Sequence, residues 1–415
     1  MQELFQRIYR RSDNCRQIKR QWERYGIDEM KFRNDMKIFI VGGGEIGRSL
    51  AVQLSRDGYE LTMIDKEESV VSNISNSVDA ISYQGNGASY AVLKNLNASE
   101  ADIFIAVTNS DELNILSCFT AHMLGAKHTI ARIRDVDYAT QNRFYRNKLG
   151  LSMIINPELA TAMEIYRLLR FPLATRVEVF AGGRAELVEM SVGENSPLAG
   201  KSLIEINKNM GINLLICAIV RKGEAFVPKG DTILQVGDIL YLTGAAEEFR
   251  KSFKQLKLPI KPLQSVMIAG GSRISHYLSE VLLRQGAKVT IVEKNKEMAE
   301  NLSALVPKAA VMCDDTLAYF DSMSNADISN TDAFIAMTDN DEYNLVAAMY
   351  AESQGINKVV SRINAKSRLK VLPEGSRICT ISREDVAADR ILGYSRSLLN
   401  AEDNDAVESL YRLMD

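Results

Sequence analysis

Three glycines spaced Gly42-x-Gly44-x-x-Gly47, with a carboxylate at Asp65 eighteen residues past the last of them, are the residues of this 415-residue chain whose types and spacing most directly imply chemistry. They follow an apolar run, Lys37–Val41, and open a helical pattern from Ile46 to Leu54, so the expected setting is strand, glycine turn, helix. In that setting Gly42 permits the tight turn and Gly44 lets a pyrophosphate approach the backbone N–H groups at the helix N-terminus. Gly47 lets the helix pack on the sheet. Glu45 and Ile46 complete the candidate cofactor-contacting turn. Asp65, ending the next strand, would accept hydrogen bonds from a ribose diol. An acid there repels a 2′-phosphate, which favours NAD(H) over NADP(H); ATP and ADP offer the same ribose and phosphates. The alternative is a glycine turn that packs without ligand.

Other candidates fall at the carboxyl ends of later strands, the edge where ligands sit in such sheets. Gly85 and Asn86, in Gly85-Asn86-Gly87, follow the third strand and form either a ligand loop or a simple strand-to-helix turn. Thr108 opens Thr108-Asn109-Ser110-Asp111 after the fourth strand, where Asp111 could cap the following helix. Arg132, ending the fifth strand, could reach a phosphate or pair with an acid. Catalytic groups are sparse. His122, His128 and His276 have no Asp or Ser partner at a recognisable spacing, and residues 171–257 contain no histidine. Hydride-transfer chemistry needs an acid or base beside the substrate, so the expectation is a protein without turnover. Asp231 and Asp238 read as turn residues. The competing reading is an NAD-dependent oxidoreductase with its site between two Rossmann domains. A redox-sensing transcription factor would need a helix-turn-helix, for which residues 1–35 are too short.

The elements that must position these residues are short apolar strands alternating with helices. Strand-like runs at Lys37–Val41, Glu60–Ile64, Ala80–Tyr83, Ile103–Val107, Thr129–Ile133 and Met153–Ile155 predict a doubly wound parallel sheet of the α/β class. The pattern then returns. Gly270 lies 228 residues after Gly42, and Glu293 lies 228 after Asp65. Ile105-Ala-Val-Thr-Asn-Ser-Asp-Glu-Leu-Asn114 is echoed by Ile335-Ala-Met-Thr-Asp-Asn-Asp-Glu-Tyr-Asn344, and Ala131-Arg-Ile133 by Ser361-Arg-Ile363. A duplicated Rossmann domain follows. In the second copy Ser272 and Ser275 replace two glycines, and each adds a Cβ where phosphate or strand must come close. Glu293 marks a weakened second site, which Arg273 could offset with its charge.

Between the copies, Thr175–Phe180, Ala185–Met190, Leu214–Arg221 and Ile239–Thr243 are β-rich runs punctuated by Gly182-Gly183, Lys222-Gly223 and Gly237-Asp238. They predict a small α+β module closed by a charged helix over Ala245–Leu256. The expected organisation is a Rossmann domain at 36–170, the small module at 171–257, a second Rossmann domain at 258–381, and a helix (Ser382–Leu399) with a polar tail at 382–415. A second β-rich module does not fit there. Residues 1–35 carry nine Lys/Arg against six Asp/Glu and are either an extension or the product of a start codon assigned too early.

Composition agrees with a folded multidomain chain. Apolar residues make up 46% and charged residues 25%, and a net charge of −3 gives no global pull toward nucleic acid or acidic lipid. No stretch approaches the ~18 to 20 apolar residues of a membrane-spanning helix. The N-terminus lacks the apolar core of a secretory signal. Cys15, Cys118, Cys217, Cys313 and Cys379 form neither a CxxC nor a Cys/His cluster, so neither a disulfide framework nor a metal site is expected, and a reducing cytoplasm is.

Several motifs, in order, carry a resemblance. Met36-Lys-Ile-Phe-Ile-Val-Gly-Gly-Gly-Glu-Ile-Gly, Asp65, Gln84-Gly-Asn-Gly, Ala106-Val-Thr-Asn-Ser-Asp-Glu-x-Asn114 and Ile130-Ala-Arg-Ile closely resemble the TrkA family of potassium-uptake regulators. So do Asn195-Ser-Pro-Leu-Ala-Gly-Lys-Ser-Leu203 and Pro228-Lys-Gly-Asp-Thr-Ile-Leu-Gln-Val-Gly-Asp238 in the middle module. The resemblance spans 36–381 and implies alternating nucleotide-binding and small β-rich domains, the RCK or KTN arrangement. It implies a homo-oligomeric ring on the cytoplasmic face of the membrane. The ring would dock beneath an integral-membrane potassium-transporting subunit of the TrkH, TrkG or KtrB kind, and nucleotide occupancy would gate ion flow. Gly42, Gly44, Gly47 and Asp65, with Gly85 and Arg132, match the family's nucleotide-contacting positions. The chain departs from the pattern at Ser272, at Ser275 and after Ile381.

Overall fold

A computed structural model describes residues 36–135, 142–171, 174–180, 185–194, 196–210, 214–255, 263–364, 371–373 and 376–402. The expectations for residues 1–35, for the Gly182-Gly183 turn and for the tail beyond Glu402 lie outside them. The first half runs β1 (Lys37–Val41), α1 (Glu45–Arg56), β2 (Glu60–Asp65), α2 (Glu68–Ser75), β3 (Ile81–Gln84), α3 (Tyr90–Asn95), β4 (Ile103–Ala106), α4 (Asp111–Leu124), β5 (His128–Arg132), α5 (Asn142–Leu149) and β6 (Met153–Ile155). All six strands are parallel, in the order β3-β2-β1-β4-β5-β6. Central strands β1 and β4 are buried on both faces, which is why they read as unbroken apolar runs rather than alternating ones. The order reverses between β1 and β4, so the crevice at their carboxyl ends is where this topology places a ligand.

After β6 comes α6 (Pro157–Arg170), followed by a five-stranded antiparallel sheet. It contains β7 (Ala174–Phe180), β8 (Ala185–Ser191), β9 (Leu215–Arg221), β10 (Glu224–Phe226) and β11 (Ile239–Gly244), with α7 (Leu203–Met210) and α8 (Ala246–Gln255). The expected Lys222-Gly223 turn joins β9 to β10, both residues having positive φ as a tight hairpin requires. Strand β10 and helix α7 escape the sequence reading. One has only three residues, and the other is a single mixed-polarity octet between β-rich runs.

The second half repeats the first with β12 (Ser265–Ala269), α9 (Arg273–Arg284), β13 (Lys288–Val292), α10 (Lys296–Leu305), β14 (Ala310–Met312), α11 (Thr316–Ser322), α12 (Asn325–Ser329), β15 (Ala333–Ala336), α13 (Asp341–Ser353), β16 (Lys358–Arg362) and β17 (Cys379–Ile381). The strand order β14-β13-β12-β15-β16-β17 is that of the first sheet. The chain then enters α14 (Arg383–Glu402), three residues longer than expected at its C-terminal end.

The two halves exchange their exit helices. Helix α6 leaves the first sheet and packs on α9 of the second half, and α14 leaves the second sheet and packs on α1 of the first and on α6. The apolar stripe Ala387, Ala388, Ile391 and Leu392 of α14 thus joins the core of Ile38, Ile40, Leu50 and Leu54. Ile165, Leu168 and Leu169 of α6 join that of Val266, Ile268, Ile274 and Leu278. The root of the small module is fixed to the second half as well. Buried Lys358, at the start of β16, donates to the carbonyls of Phe171 (3.2 Å) and Ala174 (2.5 Å), where the chain passes from α6 into β7. A cation suits this place, because the carbonyls ending a helix carry partial negative charge.

Candidate functional site

The first glycine turn has the shape a phosphate cradle needs. Gly42 lies at φ +101°, a region that L side chains rarely adopt, and a Cβ there would stand 2.9 Å from the Thr108 nitrogen. A Cβ on Gly47 would lie 1.9 Å from the Gly42 carbonyl oxygen, so only glycine lets α1 start this close to the turn. Gly44, the N-cap residue, is different: nothing stands within 4 Å of its would-be Cβ, and no side chain caps the helix. Two glycines are therefore imposed by the fold. The third leaves an open face at a helix end whose first-turn N–H groups have no intrahelical acceptor. Glu45 and Ile46 supply the next two of these N–H groups, Glu45 exposed and Ile46 buried. The cradle fits the phosphates of a nucleotide.

Asp65 sits at the end of β2 as expected, but its carboxylate is already engaged. Oδ2 accepts from the Gly43 N–H (2.6 Å) and Oδ1 from the Glu67 N–H (3.0 Å). The acid braces the turn, and a ribose diol would use its remaining lone pairs. Gly85 donates to the Asp65 carbonyl (2.8 Å), Asn86 Oδ1 accepts from Ala88 N–H (3.0 Å), and a Cβ on Gly87 would meet Val41 at 2.1 Å. The Gly85–Gly87 loop is thereby held against the ends of β1 and β2.

At the ends of β4 and β5 the organising residue is Asn114, which the sequence marks only as the last residue of a repeated motif. Fully buried on α4, it accepts from Thr108 N–H (2.8 Å) and Oγ1 (2.7 Å), and it donates to the carbonyls of Thr108 (3.1 Å) and Arg132 (2.9 Å). Asn344 repeats all four bonds with Thr338 and Arg362. The identical spacing of Asn114 and Asn344 in the two copies was the signal that could have found it. Asp111 is not the helix cap. Ser110 is, accepting from the Leu113 N–H (3.1 Å), while Asp111 Oδ2 accepts from the N–H groups of Arg134 and Asp135 (2.8 Å each). The helix N-terminus favours that acid, but the loop after β5 claims it. Arg132, 5% exposed, faces Glu158 at 3.8 Å, with Nη1 near the Thr108 carbonyl (3.4 Å) and its Nε without a hydrogen-bond partner. Burial pulls its pKa below the ordinary guanidinium value, against the pull of Glu158.

The second turn is closed by its own side chains. Ser272 caps α9 by accepting from the Ser275 N–H (3.2 Å), and Ser275 Oγ returns to the Ser272 N–H (3.3 Å) and to the Gly270 carbonyl (2.6 Å), a reciprocal capping box. Glu293 braces Gly271 N–H (2.6 Å) and Asn295 N–H (2.7 Å) as Asp65 braces its own turn. The donors that a phosphate would use in the first half are thus taken by serine hydroxyls in the second.

Elsewhere among the described residues no acid/base constellation is assembled. His276 lies 3.5 Å from Glu280 on one helix face and stacks on Tyr277, and the His122 ring packs at Gly150. No cluster of three metal-ligating side chains occurs among the described residues. Asp238 is more than a turn residue: buried, it takes both Nε and Nη2 of Arg221 (2.7 Å each) and the Gln235 N–H (2.8 Å). Burial raises its pKa, but Arg221 and the Gln235 N–H outweigh that and hold it below the ordinary carboxyl value. A cavity of ≈ 260 Å³ in the small module is lined by apolar side chains with Asn207 and Lys229, and by no acid or histidine.

A tandem pair of dinucleotide-binding-type domains with a small antiparallel module between them is the class that fold and site define. Matches to the TrkA-N domain cover residues 38–157 and 266–379, and a match to the TrkA-C domain covers 187–257. The chain belongs to the TrkA family. It is 30% identical over 336 residues to the Trk system potassium uptake protein TrkA homolog of Archaeoglobus fulgidus, covering 81% of this chain and 76% of that one. It is also 30% identical over 365 residues to the Trk system potassium uptake protein TrkA of Vibrio alginolyticus, covering 87% and 79%. In fold it is similar to the GsuK channel bound to NAD (TM-score 0.64, 19% identity, 90% of this chain and 65% of that one). It is similar also to the GsuK RCK domain (TM-score 0.63, 18% identity, 93% and 82%). No helix among the described residues is long and apolar enough to cross a membrane.

Proposed function

We propose that this chain is a nucleotide-sensing regulatory subunit that gates a membrane potassium transporter, and that it has no turnover of its own. The observation that carries the reading is the open cradle at Gly42–Gly47, beside a second turn of the same fold that is closed by Ser272 and Ser275. The ligand is NAD(H), with ATP or ADP as alternatives of the same chemistry. It rests on Gly42, Gly44, Glu45, Ile46, Gly47 and Asp65, flanked by Gly85, Asn86, Thr108 and Arg132. Residues 36–170 and 258–381 act as the two Rossmann domains and 171–257 as the small module. The protein works as a homo-oligomer on the cytoplasmic face of the membrane, against an integral-membrane potassium-transporting subunit. Its output is mechanical: ligand drives gating only by binding one arrangement of the assembly better than another, and a difference of about 1.4 kcal/mol shifts that equilibrium about tenfold. The test is potassium flux in vesicles holding the full chain and its membrane subunit, with NADH, NAD, ATP or ADP added. Nucleotide-dependent flux that Asp65→Ala abolishes is the expected result; flux indifferent to Asp65→Ala moves the sensor elsewhere.

A further inference from the structure

Where the exchanged helices begin, charged groups from both halves meet beside the open turn. Glu45 is the first residue of α1, directly after Gly44. Glu158, 6% exposed on the first turn of α6, is approached by Arg132 from β5 at 3.8 Å and by Arg383 from α14 at 3.6 Å. Arg383 also holds Glu384 at 2.7 Å and reaches Glu45 at 3.7 Å. Three carboxylates therefore surround two guanidinium groups at the end of a helix already suited to an anion. Glu45 is the loosest of the three. It is 68% exposed, and partial burial, with Glu384 beside it, pushes its carboxyl above the ordinary range. Among the described residues the arrangement has no equivalent at the closed turn. Glu158 and Glu384 are matching second residues of the two exit helices, and the residue before Glu384 is Arg383 while that before Glu158 is Pro157. The open cradle thus receives a guanidinium from the opposite half, whereas the matching position of α6 is a proline.

We infer that Arg383, delivered by the second half, is a phosphate-binding residue of the first nucleotide site, and that Glu45 is the built-in carboxylate a ligand's phosphate displaces from it. A phosphate at this helix end lies on the residue whose side chain Arg383 already contacts. Arg383 is 24% exposed and extends from a helix packed on α1, so it meets an anion there without crossing the interface. The exchange replaces a monoanionic carboxylate at ion-pair distance with a phosphate offering several acceptors to a planar, forked donor. It also ties α14, and with it the second Rossmann half, to occupancy of the first.

The inference rests on the nucleotide-sensor reading and is tested apart from it by calorimetric titration of the full chain with ADP and with NAD. Arg383→Gln is expected to weaken whichever of these binds by about tenfold, the loss of one charge-assisted contact, and Arg383→Lys to recover part of it. Glu45→Gln is expected to tighten binding by roughly threefold, a change that damage to the fold does not produce, and that gain should vanish when Arg383→Gln is added. If the wild type binds and Arg383→Gln leaves affinity unchanged, or if Glu45→Gln tightens equally with and without Arg383, the inference is wrong and the sensor stands. If the wild type binds neither ADP nor NAD, nor ATP or NADH titrated in the same way, both fall.

Discussion

The two glycine turns are built from the same parts and differ where a ligand would sit. Gly42 and Gly270 both take positive φ, at 101° and 98°, and both would clash with the backbone after their neighbouring strand if given a Cβ. Asp65 and Glu293 both reach back to the following glycine's N–H. Asn114 and Asn344 make the same four bonds. Those shared features are what the sheet and its crossover need. The turns diverge at the N-cap, at the first helical residue (Glu45 against Arg273) and at the third glycine. At the N-cap and third-glycine positions the second half has exchanged an open helix end for a capping box. Retained glycine and acid therefore testify to the fold, Gly47 to the close start of α1 on its turn, and the absence of a Cβ at Gly44 to the cradle.

Alanine at the third position should separate the halves most. Gly47→Ala drives a Cβ into the Gly42 carbonyl and is expected to cost about 3 kcal/mol in denaturant unfolding, whereas Ser275→Ala loses the hydroxyl's bonds to the Ser272 N–H and the Gly270 carbonyl, about 1.5 kcal/mol. Equal costs would mean the two turns are not as different as their geometry. Asn114→Ala and Asn344→Ala each strand buried backbone groups and should cost about 2 kcal/mol apiece by the same measurement. A large gap between them would break the claim that this brace is common to both halves. The smallest stability effect belongs to the N-cap. Gly44→Ala should stay within about 0.5 kcal/mol of wild type because its Cβ meets nothing, while Ser272→Ala should lose about 1 kcal/mol of capping. Yet Gly44→Ala is expected to weaken NAD or ADP binding about tenfold or more, read by the same calorimetry. A Gly44→Ala protein that binds normally would show that phosphate does not approach this turn.

Much of this was legible in the sequence because it depends on local pattern. Buried parallel strands read as apolar runs, and the duplication fixed the architecture by matching Ile105–Asn114 to Ile335–Asn344. The role of Asp65 was half legible: its place at a strand end was clear, its bond to Gly43 was not, since backbone donors have no letter in the sequence. Asp238 read as a turn residue because its partner Arg221 lies seventeen residues away on another strand. Nor could spacing reveal that Arg383 stands beside Glu45 and Glu158, because that contact depends on the helix exchange, a property of how the halves dock rather than of either half.

That exchange also sets a timetable. Helix α1 emerges early in synthesis, but the stripe of Ala387, Ala388, Ile391 and Leu392 that covers its core side is translated more than three hundred residues later. At about 5–20 residues per second, tens of seconds separate the two events. Throughout that interval the nascent first half carries an uncovered apolar groove. A chain halted after its first sheet would have an attractive surface and no helix of its own to put there.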